Sequence, residues 1–346
     1  MDSRKFCLDL NEEDLKTWCK DRGFPSFRAG QIRKWLASGV IDTSSMTNLP
    51  KDIKAGLEED FIMGGMTIAH DFVSQIDGTV KLVFALHDGN IIETVIMRYS
   101  TGLSVCISSQ AGCKMGCTFC ASAKAGFGRS LSPGEMLGQV LLAGRYMDER
   151  IRSVVVMGIG EPFDNYDNLI SFLKLINDPD GPNLGARHVT VSTCGLIPKI
   201  EEFTKLKLQV NLAISLHAPN DELRRELMPV PAHYPVRDLI DACRKYVKET
   251  GRRITFEYSL FDEVNDTIAC ARQLAALLKG LNCHINLIAA NEFPGSPYKR
   301  CRKGRIEVFR KELERLGLNA TLRREMGTDI MAACGQLRRG IEEKEG

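Results

Sequence analysis

The chain has 346 residues, 44% hydrophobic and 26% charged, with 30 Gly and 13 Pro, an ordinary globular composition that excludes disordered, collagenous and low-complexity readings. Its length suits one large domain with an accessory one, and no stretch approaches the roughly 20 apolar residues of a membrane span, so a cytoplasmic protein without a membrane partner is expected. The formal charge of +2 hides an asymmetry: residues 299–340 carry 12 Lys/Arg against 5 Asp/Glu, whereas the 298 residues before them carry 33 against 36. A basic segment of this kind marks either a polyanion partner or a solvated helix face.

Short helices are predicted over 11–20, 27–37 and 51–59, separated by Gly, Pro, Ser and Thr. From Thr79 to Met97 two β-branched runs flank His87-Asp88-Gly89-Asn90, a hairpin signal, with Glu93 in the second strand. Short apolar strands near 103–108, 153–157, 188–192, 209–215, 253–260 and 283–288 follow. They alternate with helices near 133–147, 166–176, 197–205, 221–227, 235–249, 266–279 and 304–316, and a last strand at 319–323 leads into a tail. Six strand–helix units predict an α/β fold with a parallel sheet and right-handed crossovers, open or curved into a partial barrel. Cys113, Cys117 and Cys120 follow the first of these strands, Gly158 to Pro162 the second, Ser192 the third, Ser215 and His217 the fourth and Asn291 the sixth. Sites in parallel α/β folds form at the C-terminal strand ends, so these residues are expected to share one.

Twelve cysteines are many for a reducing compartment, which directs attention to metal or catalytic use. Cys113-Lys-Met-Gly-Cys117-Thr-Phe-Cys120 is a CxxxCxxC loop whose three thiolates suit an iron–sulfur centre with one iron left open. A zinc site lacking its fourth ligand, or three buried thiols, is the plainer alternative. Gly158-Ile159-Gly160 lacks the third glycine of a dinucleotide loop and runs into Glu161-Pro162 instead. Cys7, Cys19, Cys194, Cys243, Cys270, Cys283 and Cys301 have no partner at a useful spacing and read as small buried hydrophobes or idle thiols; spacing alone would class Cys106 and Cys334 with them.

The cysteine triplet resembles that of radical S-adenosylmethionine enzymes. Together with Cys106-Ile-Ser-Ser-Gln110, Gly158-Ile-Gly-Glu-Pro162, Ser192-Thr193, Ser215-Leu-His217-Ala-Pro-Asn220, Asn291-Glu-Phe-Pro-Gly-Ser-Pro-Tyr298 and Ala333-Cys334-Gly335-Gln336-Leu337, it resembles the RlmN/Cfr family of RNA methyltransferases over essentially the whole chain. Ile159 stands where the family usually has Met, and Phe163 where it usually has Leu. The resemblance implies a partial (β/α)6 TIM-like barrel over 101–325, an N-terminal helical accessory domain over 1–65 that contacts RNA, a β-hairpin extension over 66–100 and a catalytic tail over 326–346.

It further implies that Cys113, Cys117 and Cys120 hold a 4Fe-4S cluster. Gly160 and Glu161 would bind the methionine end of S-adenosylmethionine, Ser192, Ser215 and His217 its ribose or carboxylate, and Asn291 further groups of it. Cys334 would be the methyl carrier, Cys106 the thiol that resolves a protein–RNA adduct through a transient disulfide, and Glu93 the proton acceptor. Read from the residues alone, Glu93 is an ordinary outward strand carboxylate. The implied activity is methylation at adenine C2, in 23S rRNA near the peptidyl-transferase region and in tRNA beside the anticodon; methylation at C8, or a non-catalytic metal-containing RNA-binding protein, are the competing readings. An electron donor such as flavodoxin and a monomeric state are expected, and RNA contact falls to Arg300, Arg302, Lys303, Arg305, Arg323 and Arg324, with Arg28, Arg33 and Lys34 as further candidates.

Overall fold

The computed structural model describes residues 4–230, 234–293 and 295–337. Residues 1–3, the last nine residues of the expected tail and Pro294 of the 291–298 motif lie outside the described residues.

One ten-stranded sheet organises the chain, and each strand pairs with its neighbour in sequence. Three strands, β1 (Met66–Val73), β2 (Val80–Leu86) and β3 (Ile91–Tyr99), form an antiparallel meander that continues antiparallel into β4 (Gly102–Ile107). From β4 the sheet turns parallel through β5 (Ile151–Val156), β6 (Val189–Thr193), β7 (Asn211–Ser215), β8 (Ile254–Leu260), β9 (Cys283–Ala289) and β10 (Ala320–Leu322). The seven parallel strands are the predicted α/β partial barrel, and every predicted crossover helix is present. The sequence of β8, ITFEYSL, shows why the sheet encloses a polar interior. Ile254, Phe256, Tyr258 and Leu260 join the hydrophobic core, while Thr255, Glu257 and Ser259 point the other way and line cavities.

The expected hairpin 66–100 is a three-stranded unit. Strand β1 escaped the sequence reading because it is the free edge of the sheet: of its eight residues only Met66 is buried, so the alternation that marks a half-buried strand is missing.

The N-terminal helices α1 (Glu12–Asp21), α2 (Phe27–Ala37) and α3 (Lys51–Asp60) lie as expected. They are joined closely to the barrel. Helix α4 (Pro133–Met147) opens with a capping box between Ser132 and Glu135, and its Gly134 N–H donates to Asp9 Oδ1 at 2.6 Å. A Cβ on Gly134 would sit 2.5 Å from the Asp9 nitrogen, so only glycine permits this approach. Arg33, expected to meet RNA, is instead buried and pairs with Asp178 beyond α5 (Tyr166–Asn177) at 2.7 Å.

The basic C-terminal segment is also partly spoken for. Arg305 pairs with Asp262, Glu263 and Asp266, Arg300 pairs with Glu325, and Arg310 and Arg315 of helix Lys303–Arg315 pair with glutamates of the same helix. Arg323 turns inward to the barrel cavity. Lys299, Arg302, Lys303 and Arg324 make no ion pair among the described residues and remain for a polyanion.

Candidate active site

A cavity opens at the C-terminal ends of the parallel strands, lined by Cys113, Cys117, Cys120, Gly160, Glu161, Ser192, Ser215, His217, Asn291 and Cys334. Nine of these are the residues expected to hold cluster and cofactor. An adjoining chamber is lined by Val95, Met97, Cys106, Met157, Arg323 and again Cys334. Cys334 therefore stands in the wall between two chambers, one containing the cysteine triplet and the other containing Cys106.

The cysteine loop springs from an antiparallel pair, Gln110–Gly112 with Phe127–Ser130. Burial pushes the Cys113 thiol up to about 12 and the Cys117 thiol well above its ordinary value, so a cationic centre is required to hold them as thiolates. A single tetrahedral zinc with bonds of roughly 2.3 Å would draw its sulfurs to about 3.8 Å from one another. Among the described residues the one group of metal-ligating side chains whose donor atoms all lie within 4.8 Å of each other is Asp262, Asp266 and Cys301, not the loop cysteines. Its two carboxylates already pair with Arg305, 2.8 Å from Asp266 and 3.4 Å from Asp262. The three loop sulfurs are thus not all as close to one another as a single ion holds its ligands.

Around the cavity, backbone and side chains hold each other in fixed positions. Glu161 is buried, which raises its carboxyl above the ordinary value, and it accepts from Cys194 N–H at 2.7 Å and Phe163 N–H at 2.9 Å. Gly160 lines the cavity with φ +107°, and a Cβ there would meet the Gln110 backbone nitrogen at 2.8 Å, so only glycine fits against Gln110. Ser192 Oγ and Ser215 Oγ lie 3.3 Å apart. His217, with φ +57°, accepts the Ser259 N–H at Nδ1, 2.9 Å away. Burial, with Arg224 nearby, pulls its pKa down to about 3, so its neutral Nε2–H is a hydrogen-bond donor. Asn291 Nδ2 donates to the Cys334 carbonyl at 3.1 Å, which ties a cofactor candidate directly to the tail.

In the second chamber Cys106 is buried and its thiol is pushed up to about 12, by desolvation first and by Cys334 second. All twelve cysteines are free thiols. Glu93 lies on neither cavity wall. It is a buried inward residue of β3, not the outward carboxylate read from the sequence, and it pairs with Lys81 Nζ at 3.0 Å. Val95 and Met97, on the same strand face two and four residues on, reach the second chamber.

Three residues of the site escaped the sequence reading. Arg323, assigned to RNA, lines both chambers; its Nη1 lies 3.8 Å from Glu257 Oε2 and 3.7 Å from Met157 Sδ. Glu257 is buried and accepts from Asn286 at 2.9 Å. A carboxylate at the centre of the short, largely apolar β8 was the available signal. Met157 gave none, since a methionine ending an apolar strand reads as core.

A curved parallel sheet with a three-cysteine loop after its first strand is the framework of a radical S-adenosylmethionine enzyme, and a model of the radical SAM superfamily matches residues 107–270. Residues 7–63 match the N-terminal domain of the ribosomal RNA large subunit methyltransferases. The chain belongs to the RlmN family of radical SAM methyltransferases. A probable dual-specificity RNA methyltransferase RlmN of Clostridium tetani is 49% identical over 332 residues, covering 96% of this chain and 95% of that one. Its counterpart in Bacillus licheniformis is 50% identical over 337 residues, covering 96% and 93%. The crystal structure of a radical SAM methyltransferase from Sphaerobacter thermophilus superposes with a TM-score of 0.93 at 44% identity, covering 96% of this chain and 99% of that one. A 4Fe-4S cluster and S-adenosylmethionine are the cofactors of this class, and three cysteines in one cavity wall beside the polar cradle of Gly160, Ser192, Ser215 and His217 supply donors suited to both.

Proposed function

We propose that this enzyme methylates C2 of adenosine in RNA, in 23S rRNA and in tRNA, through an S-methyl group carried on Cys334. The observation that carries the reading is the position of Cys334 between the two chambers, within the cofactor cavity and within the chamber of Cys106. Adenine C2 is an electron-poor carbon and no nucleophile, so direct attack on a sulfonium methyl is closed to it; a thiolate can make that attack. When bound, the cluster and S-adenosylmethionine supply one-electron chemistry that no side chain provides. Cys113, Cys117 and Cys120 hold the cluster, leaving one iron open. The Gly160 peptide, Glu161, Ser192, Ser215, His217 and Asn291 hold and orient S-adenosylmethionine, with His217 neutral throughout the physiological range.

The Cys334 thiolate takes its methyl by displacement from one S-adenosylmethionine, which leaves as S-adenosylhomocysteine; a second would supply the radical that removes one hydrogen from that S-methyl group as 5′-deoxyadenosine, and the Cys334-borne carbon then joins C2 in a covalent protein–RNA adduct. Glu93, paired with Lys81, accepts the C2 proton. After the adduct has given up one electron, which the cluster would accept, the Cys106 thiolate attacks the Cys334 sulfur, the bond from that sulfur to the carried carbon breaks, that carbon takes up a proton to become the methyl on the base, and the two cysteines end as a disulfide. Lys299, Arg302, Lys303 and Arg324, with Arg28 and Lys34 of the accessory domain, contact RNA phosphates, while the target base is splayed into the barrel mouth. A flavodoxin-type donor reduces the cluster, and the enzyme acts as a monomer. The division into residues 1–65, 66–100, 101–325 and 326–346 follows these roles. A mass-spectrometric map of RNA treated with enzyme and S-adenosylmethionine tests this: 2-methyladenosine at both RNAs is expected, and 8-methyladenosine alone would overturn it.

A further inference from the structure

The tail that carries Cys334 is held at two places, on opposite sides of the cysteine. On the far side, Ala121 N–H donates to the Gly335 carbonyl at 2.8 Å, Ser122 Oγ to the Leu337 carbonyl at 2.7 Å and Gln336 Nε2 to the Glu292 carbonyl at 2.8 Å. With the bond from Asn291 to the Cys334 carbonyl, these ties all come from the cluster loop or the end of β9, the region the cofactors occupy.

On the near side the ties are made by a different part of the molecule. The turn between β1 and β2 is folded tightly on itself: Ser74 N–H donates to the Thr79 carbonyl at 2.8 Å, Gly78 N–H to the Ser74 carbonyl at 3.1 Å and Thr79 N–H to Asp77 Oδ1 at 2.9 Å. The preformed turn then grips the tail. Ser74 Oγ donates to Asp329 Oδ1 at 2.7 Å, Gln75 N–H to Asp329 Oδ2 at 2.9 Å, and Gly327 N–H to Asp77 Oδ2 at 2.9 Å. The tail closes on itself from there, with Ala332 N–H donating to the Gly327 carbonyl at 2.9 Å. Two residues later comes Cys334. None of these near-side groups belongs to the cluster loop or the cofactor cavity.

We propose that the turn Ser74–Thr79 is a fixed anchor for the carrier segment, and that Ser74, Asp77 and Asp329 are positioning residues that keep Cys334 in register with both chambers. The proposal rests on Cys334 being the methyl carrier. Its logic is one of reach. The carrier sulfur has to meet S-adenosylmethionine, the target base and Cys106 in turn, while the ties from Asn291 and the cluster loop lie where bound cofactor competes for the same donors. An anchor outside that region lets the inner ties exchange without setting the segment loose. It also gives the antiparallel extension a role in the chemistry, since β1 and β2 present the gripping turn.

Asp329 is exposed, so Asp329→Ala removes two of the three grips without opening the core. Hydrogen exchange of the full-length, cluster-loaded enzyme, followed on the peptide spanning Met326 to Leu337, is expected to show about fivefold less protection in Asp329→Ala and in Ser74→Ala. Ser74→Thr, which keeps the hydroxyl, should restore it. Iron content should match wild type, while 5′-deoxyadenosine formed per adenosine methylated rises severalfold, because a badly held carrier is missed in more attempts. Unchanged tail exchange, or unchanged coupling between 5′-deoxyadenosine and methylated base, would overturn the proposal. Failure of the carrier reading itself is separately visible, as absence of an S-methyl group on Cys334 in the intact mass of wild-type protein.

Discussion

Glu93 and Lys81 are joined 3.0 Å apart with side-chain exposures of only 6% and 10%. Changing Glu93 to Gln keeps the shape and removes the charge, so the Lys81 ammonium is left buried with the Phe72 ring, 5.0 Å away, as a weak substitute. Breaking a buried pair from one side costs about 3 to 5 kcal/mol. The aromatic contact and the new amide place Glu93→Gln at the lower end, about 3 kcal/mol, or a melting temperature lowered by roughly 4 °C. The double variant Lys81→Met/Glu93→Leu should lie within about 1 kcal/mol of wild type, because a pair replaced by apolar groups leaves no charge unmatched. Function separates from stability here. At a temperature where all variants are folded, both should load a methyl on Cys334 and form the RNA adduct, then accumulate it, since the C2 proton has no acceptor. Thermal melts and a denaturing gel with and without ribonuclease read out the two halves. Glu93→Gln melting within 1 °C of wild type would refute the burial argument, and normal product formation by the double variant would remove Glu93 from the mechanism.

Cys113→Ala, Cys117→Ala and Cys120→Ala should each lose iron and 5′-deoxyadenosine formation together; a variant keeping its full iron complement would sink the cluster assignment. Cys106→Ala should still load Cys334 and add to adenine, then stall as a salt-insensitive, ribonuclease-sensitive adduct on a denaturing gel, whereas wild-type turnover would leave Cys106 a plain core residue. His217 binds no proton in the fold until about pH 3, although the unfolded chain protonates it near pH 6.5. Its contribution is therefore full above pH 6.5 and falls as pH drops toward 3, by about 2 kcal/mol between pH 7 and pH 5. Denaturant melts of His217→Gln should show that much less pH dependence over the interval, and identical slopes would count against the neutral imidazole.

Strands whose two faces see different surroundings announced themselves in the sequence, as β8 does with its strict alternation. The edge strand β1 did not, because both its faces meet solvent. The cysteine triplet, Gly160, Ser192, Ser215 and His217 were found because each lies at or just beyond the C-terminal end of a strand, where the fold gathers its site. What composition misjudged was the destination of charge. Arg33, Arg305 and Arg323 look like surface cations until tertiary structure supplies Asp178, Asp266 and Glu257 as their partners. The grip of Ser74 and Asp77 on the tail was equally out of reach, since 250 residues separate Asp77 from Gly327 and neither carries a pattern.

The contact between Asp9 and Gly134 bears on how the protein comes apart. The amino-terminal segment ahead of α1 supplies a cap to the first crossover helix of the barrel, and at Gly134 the two chains of atoms meet with no space for even a methyl group. The accessory helices are thus no detachable module. Cutting them away would leave the Gly134 N–H without its acceptor and expose the groove, and heating the intact chain would melt both parts in a single cooperative event. The same contact holds the accessory helices at a constant distance from the chamber of Cys334.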